Sequence, residues 1–228
     1  DRNWYKNPLN RDYSKTLEID IAGVPHVFAW GGLHGAIPQY FGEGSFINVD
    51  VASYYPSLML VYKWLSRNVA DPGKYAEIYH TRLKLKAEKN PMQQPYKIVL
   101  NSTYGAMKDR HNAMYDPRQA NNVCVGGQLL LLDLIERLED HCDIIQSNTD
   151  GILVKLRHDD DFELIDDICW EWEKRTGMRL EFDEFQRVFQ KDVNNYLIVP
   201  AGPLLDEKGK PRWKCKGAYV KKLSDLDY

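Results

Sequence analysis

At 228 residues and 43% apolar content, the chain is long enough to bury a sizeable core and too apolar for a disordered or collagenous class. No apolar run approaches the ~20 residues of a membrane-spanning helix, so the expectation is a soluble protein. The net charge of -3 argues against a uniformly basic nucleic-acid binder, but the charge is unevenly placed. Arg82 to Lys97 holds five basic residues and one acidic, and Lys208 to Lys222 seven basic and none acidic. Asp159 to Glu173 holds eight acidic and none basic. A near-neutral average thus conceals two positive stretches able to attract phosphate locally.

"KTLEIDIAGVPHVFAWGG" alternates, turns at Gly23-Val24-Pro25 and alternates again, which predicts a hairpin. Glu18 and Asp20 share one strand face there, and the plainer reading is a solvated face. "GSFINVDVASYY" reads as a buried strand ending near Asp50, and "PSLMLVYKWL" as a helix opened by Pro56 in its first turn. Two helical runs, about Lys74 to Lys89 and Pro95 to Asp109, are split by Asn90-Pro91 and predict an antiparallel pair. A longer helix, about Arg118 to His141, contains Gly126-Gly127, which suggests close backbone packing.

"DIIQSNTDGILVKL" then predicts strand, tight turn, strand. Asp161 to Thr176 is an amphipathic helix ended by Gly177. "RLEFDEFQRVFQ" and "NNYLIV" return to strands, and "DEKGKPRWKCKGAYVKK" looks like a polar turn in a basic hairpin. Hairpins dominate the strand connections, so the expected class is α+β: an antiparallel sheet backed by helices, with the helix pair projecting from it.

Cys124, Cys142, Cys169 and Cys215 form no C-x-x-C pair, which argues against a zinc knuckle or a disulfide framework and favours a reducing, cytoplasmic setting. The chain opens at Asp1 without a leader, which reads as an internal fragment.

Candidate chemistry clusters in three places. Lys97, Asn101, Tyr104 and Lys108 are spaced four, three and four apart, one stripe of a helix. Gly105 beside the Tyr104 ring leaves flat space, so a nucleoside triphosphate lying along the helix suits the pattern as well as a solvated face does. Arg82, Lys86 and Lys89 repeat the spacing on the preceding helix. Asp50 follows an apolar strand and precedes small residues whose amides can approach an anion. Asp150 sits at a second strand-turn position. Each aspartate alone reads as a cap or turn residue; together, two carboxylates on neighbouring strands can share a pair of divalent ions for phosphoryl transfer.

These residues resemble a known family. "DVASYYPS" (50–57), "KIVLNSTYG" (97–105) and "NTDG" (148–151) are similar, in order, to motifs A, B and C of family B DNA polymerases. "WGGLHGA" ahead of the first resembles the Y-x-G-G element of the compact phage and plasmid branch that includes protein-primed enzymes. The matches span about Gly31 to Tyr196.

The resemblance implies a polymerase palm with a short two-helix fingers insertion. Residues 1–64 and 110–199 would form the palm and 65–109 the fingers. Residues 200–228 would be a basic hairpin toward a mostly absent thumb. It implies a DNA-directed DNA polymerase that transfers nucleotides from dNTPs to a primer 3′-hydroxyl with two Mg²⁺, or Mn²⁺ in their place. Asp50 and Asp150 are the implied catalytic carboxylates and, with the Val51 carbonyl, the metal ligands. Ala52, Ser53, Tyr54, Tyr55, Arg82, Lys86, Lys97, Asn101, Tyr104 and Gly105 are implied to bind the nucleotide, Tyr55 as the ring that excludes a ribose 2′-hydroxyl. Gly31, Gly32, Thr149, Lys191, Tyr196, Lys214 and Lys216 are implied DNA contacts.

Primer-template DNA, dNTPs and a terminal protein or processivity factor are the implied partners, in a bacterial or phage-infected cell and without a membrane. The chain departs from the pattern at Ala29, where Trp30 is the neighbouring ring, at Asn194-Asn195-Tyr196 for K-x-Y, and at Asn148 for the first aspartate of D-T-D. No proofreading motif precedes Gly31. The alternative expectation is a non-catalytic palm that holds primer-template or a partner.

Overall fold

The computed structural model describes residues 16–207 and 209–217. The first 15 residues of the expected palm segment, Lys208, and residues 218–228 at the end of the expected basic hairpin lie outside them.

Among the described residues nine strands form one antiparallel sheet, β1 (Leu17–Ile21), β2 (Val24–Ala29), β3 (Gly32–Ala36), β4 (Tyr40–Val51), β5 (Cys142–Ser147), β6 (Gly151–Leu156), β7 (Leu180–Asp192), β8 (Asn195–Pro200) and β9 (Lys214–Lys216). The helices are α1 (Tyr54–Val61), α2 (Pro72–Ala87), α3 (Gln93–Lys108), α4 (Pro117–Leu138) and α5 (Phe162–Thr176). The class is α+β, a large antiparallel sheet backed by helices. No described helix is long and apolar enough to cross a membrane.

The described residues divide into two compact units, Ser53–Gly127 and, forming the other, 16–52 with 128–207 and 209–217. The second contains the sheet, in the order β1-β2-β3-β5-β6-β4-β7-β8-β9. The β4 strand is central because its apolar run, Phe46 to Val49, is buried on both faces. It pairs with β6 through Asp50 opposite Gly151 and with β7 through Asn48 opposite Asp183 and Asp50 opposite Glu181. Directly opposed residues project from the same face, so Phe46, Asn48, Asp50, Glu181 and Asp183 share one.

Phe46, Ile145, Leu153, Phe185, Val188 and Ile198 pack together as an apolar cluster, with Ile37, Tyr40 and Tyr196 against it. The end of α4 buries Leu131, Leu134, Ile135 and Leu138, and α5 buries Trp172. Trp172 Nε1 donates to the Leu130 carbonyl at 3.1 Å, and Arg175 pairs with Asp133 at 2.6 Å. Gly177 ends α5 at φ 73°, the left-handed conformation its missing Cβ permits.

In the helical unit α2 and α3 lie side by side, and the Tyr75 hydroxyl donates to the Leu100 carbonyl at 3.1 Å. Asp71 caps α2 by accepting from the Gly73 and Lys74 amides, with Pro72 at N1. Gly126 and Gly127 do mark close packing: a Cβ on Gly126 would fall 2.4 Å from the Trp64 ring, and one on Gly127 3.1 Å from Leu58.

Local expectations shift at one helix. The helix after Asp50 begins at Tyr54, so Pro56 is its third residue, and it ends at Val61 rather than continuing to Leu65. In the basic segment the Asp206 amide donates to the Lys210 carbonyl at 2.8 Å and the Arg212 amide to the Leu204 carbonyl at 2.9 Å, around the polar turn. Among the described residues its strand β9 pairs with β8, and a single bridge, Leu205 to Pro211, spans the loop between them. Glu18 and Asp20 lie on the exposed strand β1, as expected of a solvated face.

Candidate active site

The polar turn of residues 148–150 joins β5 and β6, closed by the Asn148 amide donating to the Gly151 carbonyl at 2.8 Å. Asp50 is half-buried at the end of β4 beside it, and the Val51 amide donates to the Asp150 carbonyl at 2.6 Å. The turn is thus tied to the end of β4 by backbone. An ideal Cβ on Gly151 would lie 2.0 Å from Asp50 Oδ1, so the Asp50 carboxylate fills the space a side chain there would take.

The turn is held from its other side by β3. A Cβ on Gly32, at φ 130°, would sit 2.7 Å from Thr149 Cγ2. Thr149 Oγ1 is 3.2 Å from His34 Nε2 and 3.4 Å from the Gly31 carbonyl it donates to. Burial holds the His34 ring toward its neutral form, and Lys216 pushes in the same direction. Gly31, Gly32 and Thr149 are therefore brought together, with His34, which sequence reading did not single out. Trp30, the ring considered in place of a tyrosine, is buried.

Tyr196 connects the two carboxylates electrostatically. Burial raises its phenol pKa most, Lys214 opposes this, and the charges of Asp50 and Asp150 both raise it further. Lys214 Nζ stands 2.7 Å from Asp183 Oδ2 and 3.1 Å from Asp50 Oδ2, and 5.5 Å over the Phe185 ring. Burial by itself lowers the Lys214 pKa, but hydrogen bonds and charge from Asp183 and Asp50 more than offset it, and the ammonium is held charged. Lys214 is thus engaged by carboxylates, while Lys216 and Lys191 are exposed. Asp183 was missed in the sequence; the signal available was its period-two spacing from Glu181 in "LEFDEF". Among the described residues no group of three or more His, Cys, Asp or Glu side chains is arranged to hold a metal ion by protein donors alone.

The helical unit contains the remaining candidates. Ser53 precedes α1 in the left-handed region, φ 51°, and its hydroxyl makes no cap bond to the helix. Arg82, read as part of a surface stripe, is 7% exposed, and its Nη1 donates to Ser53 Oγ. Its Nε is buried without a protein partner among the described residues. A buried guanidinium with an unmatched donor beside a helix start favours an anion. Ser57 and Tyr79 hydroxyls lie 3.0 Å apart on the same two helices, and the buried Tyr54 donates to the Gly127 carbonyl at 2.6 Å.

Tyr55 and Tyr104 meet edge to face with centroids 4.6 Å apart, and Lys108 Nζ lies 5.2 Å from the Tyr104 centroid. Lys97, Asn101 and Gly105 are exposed on α3, and Lys86 on α2. Ala52 belongs to the sheet unit, where its amide donates to the Arg179 carbonyl at 2.8 Å.

No protein-family profile matches the chain. A stretch of 33 residues is 52% identical to part of a DNA polymerase of Acidianus bottle-shaped virus (isolate Italy/Pozzuoli). The match covers 14% of this chain, and the chain covers 5% of that protein's length. The likeness is partial and supports a general relation to nucleotidyltransferases of the DNA polymerase kind.

Proposed function

We propose that the chain is the palm and fingers of a family B DNA polymerase, which extends a primer 3′-hydroxyl with dNTPs on a DNA template. The observation that carries this reading is the pairing of two strand ends. Asp50 lies at the end of β4 and Asp150 in the turn that leads directly into the neighbouring antiparallel strand β6, and the Val51 amide donates to the Asp150 carbonyl. In this reading residues 1–64 and 110–199 are palm, 65–109 fingers, and 200–228 lead toward a thumb. The partial match to a viral DNA polymerase points the same way.

The donor set fits Mg²⁺. Carboxylate and carbonyl oxygens suit a hard cation that takes few protein ligands and shares the rest with water and phosphate, and Asp50 already holds a cationic partner in Lys214. Asp50, Asp150 and the Val51 carbonyl would hold the ions. Two bound Mg²⁺, or Mn²⁺, would supply activation of the 3′-hydroxyl and charge stabilisation of the pyrophosphate. Arg82 with Ser53, and Lys97 and Lys86, bind triphosphate oxygens in this reading, Arg82 as a buried donor whose unmatched Nε-H an anion satisfies. The backbone of Ala52 to Tyr54 faces the phosphates. Tyr55 excludes a ribose 2′-hydroxyl, and Asn101, Tyr104 and Gly105 line the nascent base pair. Gly31, Gly32, Thr149, Tyr196, Lys191 and Lys216 contact primer-template, and a terminal protein or processivity factor is a further partner.

The test is Mg²⁺-dependent extension of a labelled primer-template by the purified protein, with dNTPs against rNTPs. The expected result is slow dNTP incorporation that Asp150→Ala and Asp50→Ala abolish. Extension that survives both substitutions would overturn the reading. DNA binding without incorporation under Mg²⁺ or Mn²⁺ would favour the alternative, a primer-template binding module. Asn148 is the observation behind that alternative, because an amide stands where the family has a carboxylate and its backbone N–H closes the turn onto the Gly151 carbonyl. Incorporation only after Asn148→Asp would establish it.

A further inference from the structure

We propose that Lys214 is a resident counter-ion of the candidate metal site: its ammonium neutralises Asp50 in the metal-free protein, and it withdraws onto Asp183 when a divalent cation takes Asp50. The inference rests on the reading of Asp50 as a metal ligand and adds the partner that competes for it.

The geometry assigns unequal roles to the two carboxylates. Lys214 Nζ is closer to Asp183, 2.7 Å, than to Asp50, 3.1 Å. Asp183 is on β7, two positions from Glu181, which stands directly across from Asp50. A shift of the ammonium away from Asp50 therefore leaves it paired with Asp183 rather than bare in a half-buried site. The lysine comes from β9, a three-residue strand that among the described residues lies at the sheet edge and pairs with β8 alone. A short edge strand has few backbone bonds to break, so a displacement of Lys214 costs little of the sheet. The side chain is 38% exposed, which leaves it room to move.

The physical reason for the exchange is charge. A carboxylate aimed at a divalent-ion site repels its neighbours when no ion is bound, and Asp50 has Glu181 opposite and Asp150 beyond the β6 end. An ammonium on Asp50 relieves that repulsion in the metal-free state. The same ammonium beside a bound divalent cation is repelled at short range, so the two cannot both occupy Asp50. Lys214 acts through Asp50 and is a positioning residue.

The test measures Mn²⁺ binding by water-proton relaxation in the nucleotide-free protein, with unfolding temperature followed alongside. Lys214→Met removes the competitor at nearly constant length. Its Mn²⁺ affinity should rise on the order of tenfold, the effect of one charge at close range in a partly hydrated site. Its metal-free unfolding temperature should fall and return when Mn²⁺ is added. Asp183→Asn removes the alternative partner, so Lys214 stays on Asp50 and Mn²⁺ affinity should fall severalfold. Opposite shifts from the two members of one ion pair are not produced by general destabilisation.

Asp50→Asn separates the two ideas. If Asp50→Asn binds Mn²⁺ like the wild type, the reading of Asp50 as a ligand fails. If Asp50→Asn loses binding while Lys214→Met matches or falls below the wild type, the counter-ion proposal fails alone. Absence of binding in both wild type and Lys214→Met overturns the proposal too, since removing the lysine then opens nothing.

Discussion

Asp116 closes the helical unit at one residue, and its replacement can be worked through quantitatively. Its side chain is 3% exposed and accepts from Arg67 Nε at 2.8 Å, Arg67 Nη2 at 2.8 Å, the Arg67 amide at 3.0 Å and, as the residue before α4, the Gln119 amide at 3.4 Å. The Arg67 hydrogen bonds outweigh burial and hold its pKa at about 2, against 3.8 for a free carboxyl. A depression of nearly two units corresponds to roughly 2.5 kcal/mol at most, and solvent around the exposed Arg67 reduces this to about 1–2 kcal/mol.

Asp116→Ala also leaves two amides without their acceptor and removes a helix cap, so the expected total is about 2–3 kcal/mol. In urea unfolding at pH 7 that is a midpoint lowered by about 1 M. The sign of the pH dependence follows from the depressed pKa. The stabilisation is present above the free-carboxyl value and is lost as pH falls through about 4 to 2. Asp116→Asn should therefore lie below the wild type at pH 6 and converge with it near pH 2. An Asp116→Ala cost below 0.5 kcal/mol, or wild-type and Asn curves that stay parallel from pH 6 to 2, would refute the reasoning.

Other expectations concern the turn, the core and the thiols. Gly32→Ala places a Cβ against Thr149 at a φ of 130°; under the proposed function, backbone strain of ~1–3 kcal/mol should be accompanied by a larger loss of primer extension than Gly23→Ala, which is strained at φ 71° as well but whose Cβ meets nothing. Trp172→Ala empties a fully buried site and removes the bond to Leu130, so a cost of about 3–5 kcal/mol in denaturant unfolding is expected. Burial pushes the Cys142 and Cys169 thiols up to about 12, Cys124 is buried, and Cys215 is exposed. At pH 8 a disulfide reagent should label one thiol rapidly in the folded protein, and Cys215→Ser should abolish that phase.

The site was legible where its parts are local. "NTDG" between two apolar runs, "NVDV" at a strand end and the four-three-four stripe on α3 are patterns of neighbouring residues, and short-range turn chemistry and periodicity encode them. Arg82 was named through the resemblance, but its burial was not legible. Its spacing with Lys86 and Lys89 reads as a solvated stripe, and only the packing around Ser53 makes it a buried donor. Asp183 was hidden for a related reason: "LEFDEF" alternates like any half-exposed strand, and nothing in six residues shows what stands opposite.

The sequence by itself determined the α+β class, the approximate run of each helix, the turn between β5 and β6 and the stop at Gly177. These follow from backbone propensity and hydrophobic period, which act over a few residues. The tertiary structure alone decided the strand order, which sets β6 and β7 on either side of β4 although they are distant from it in the chain. It also decided that Lys214 meets Asp50 across 164 positions of sequence and that Asp183 shares this lysine with Asp50. Pairing between remote strands depends on which faces can be buried together, and that is a property of the whole sheet rather than of any one segment.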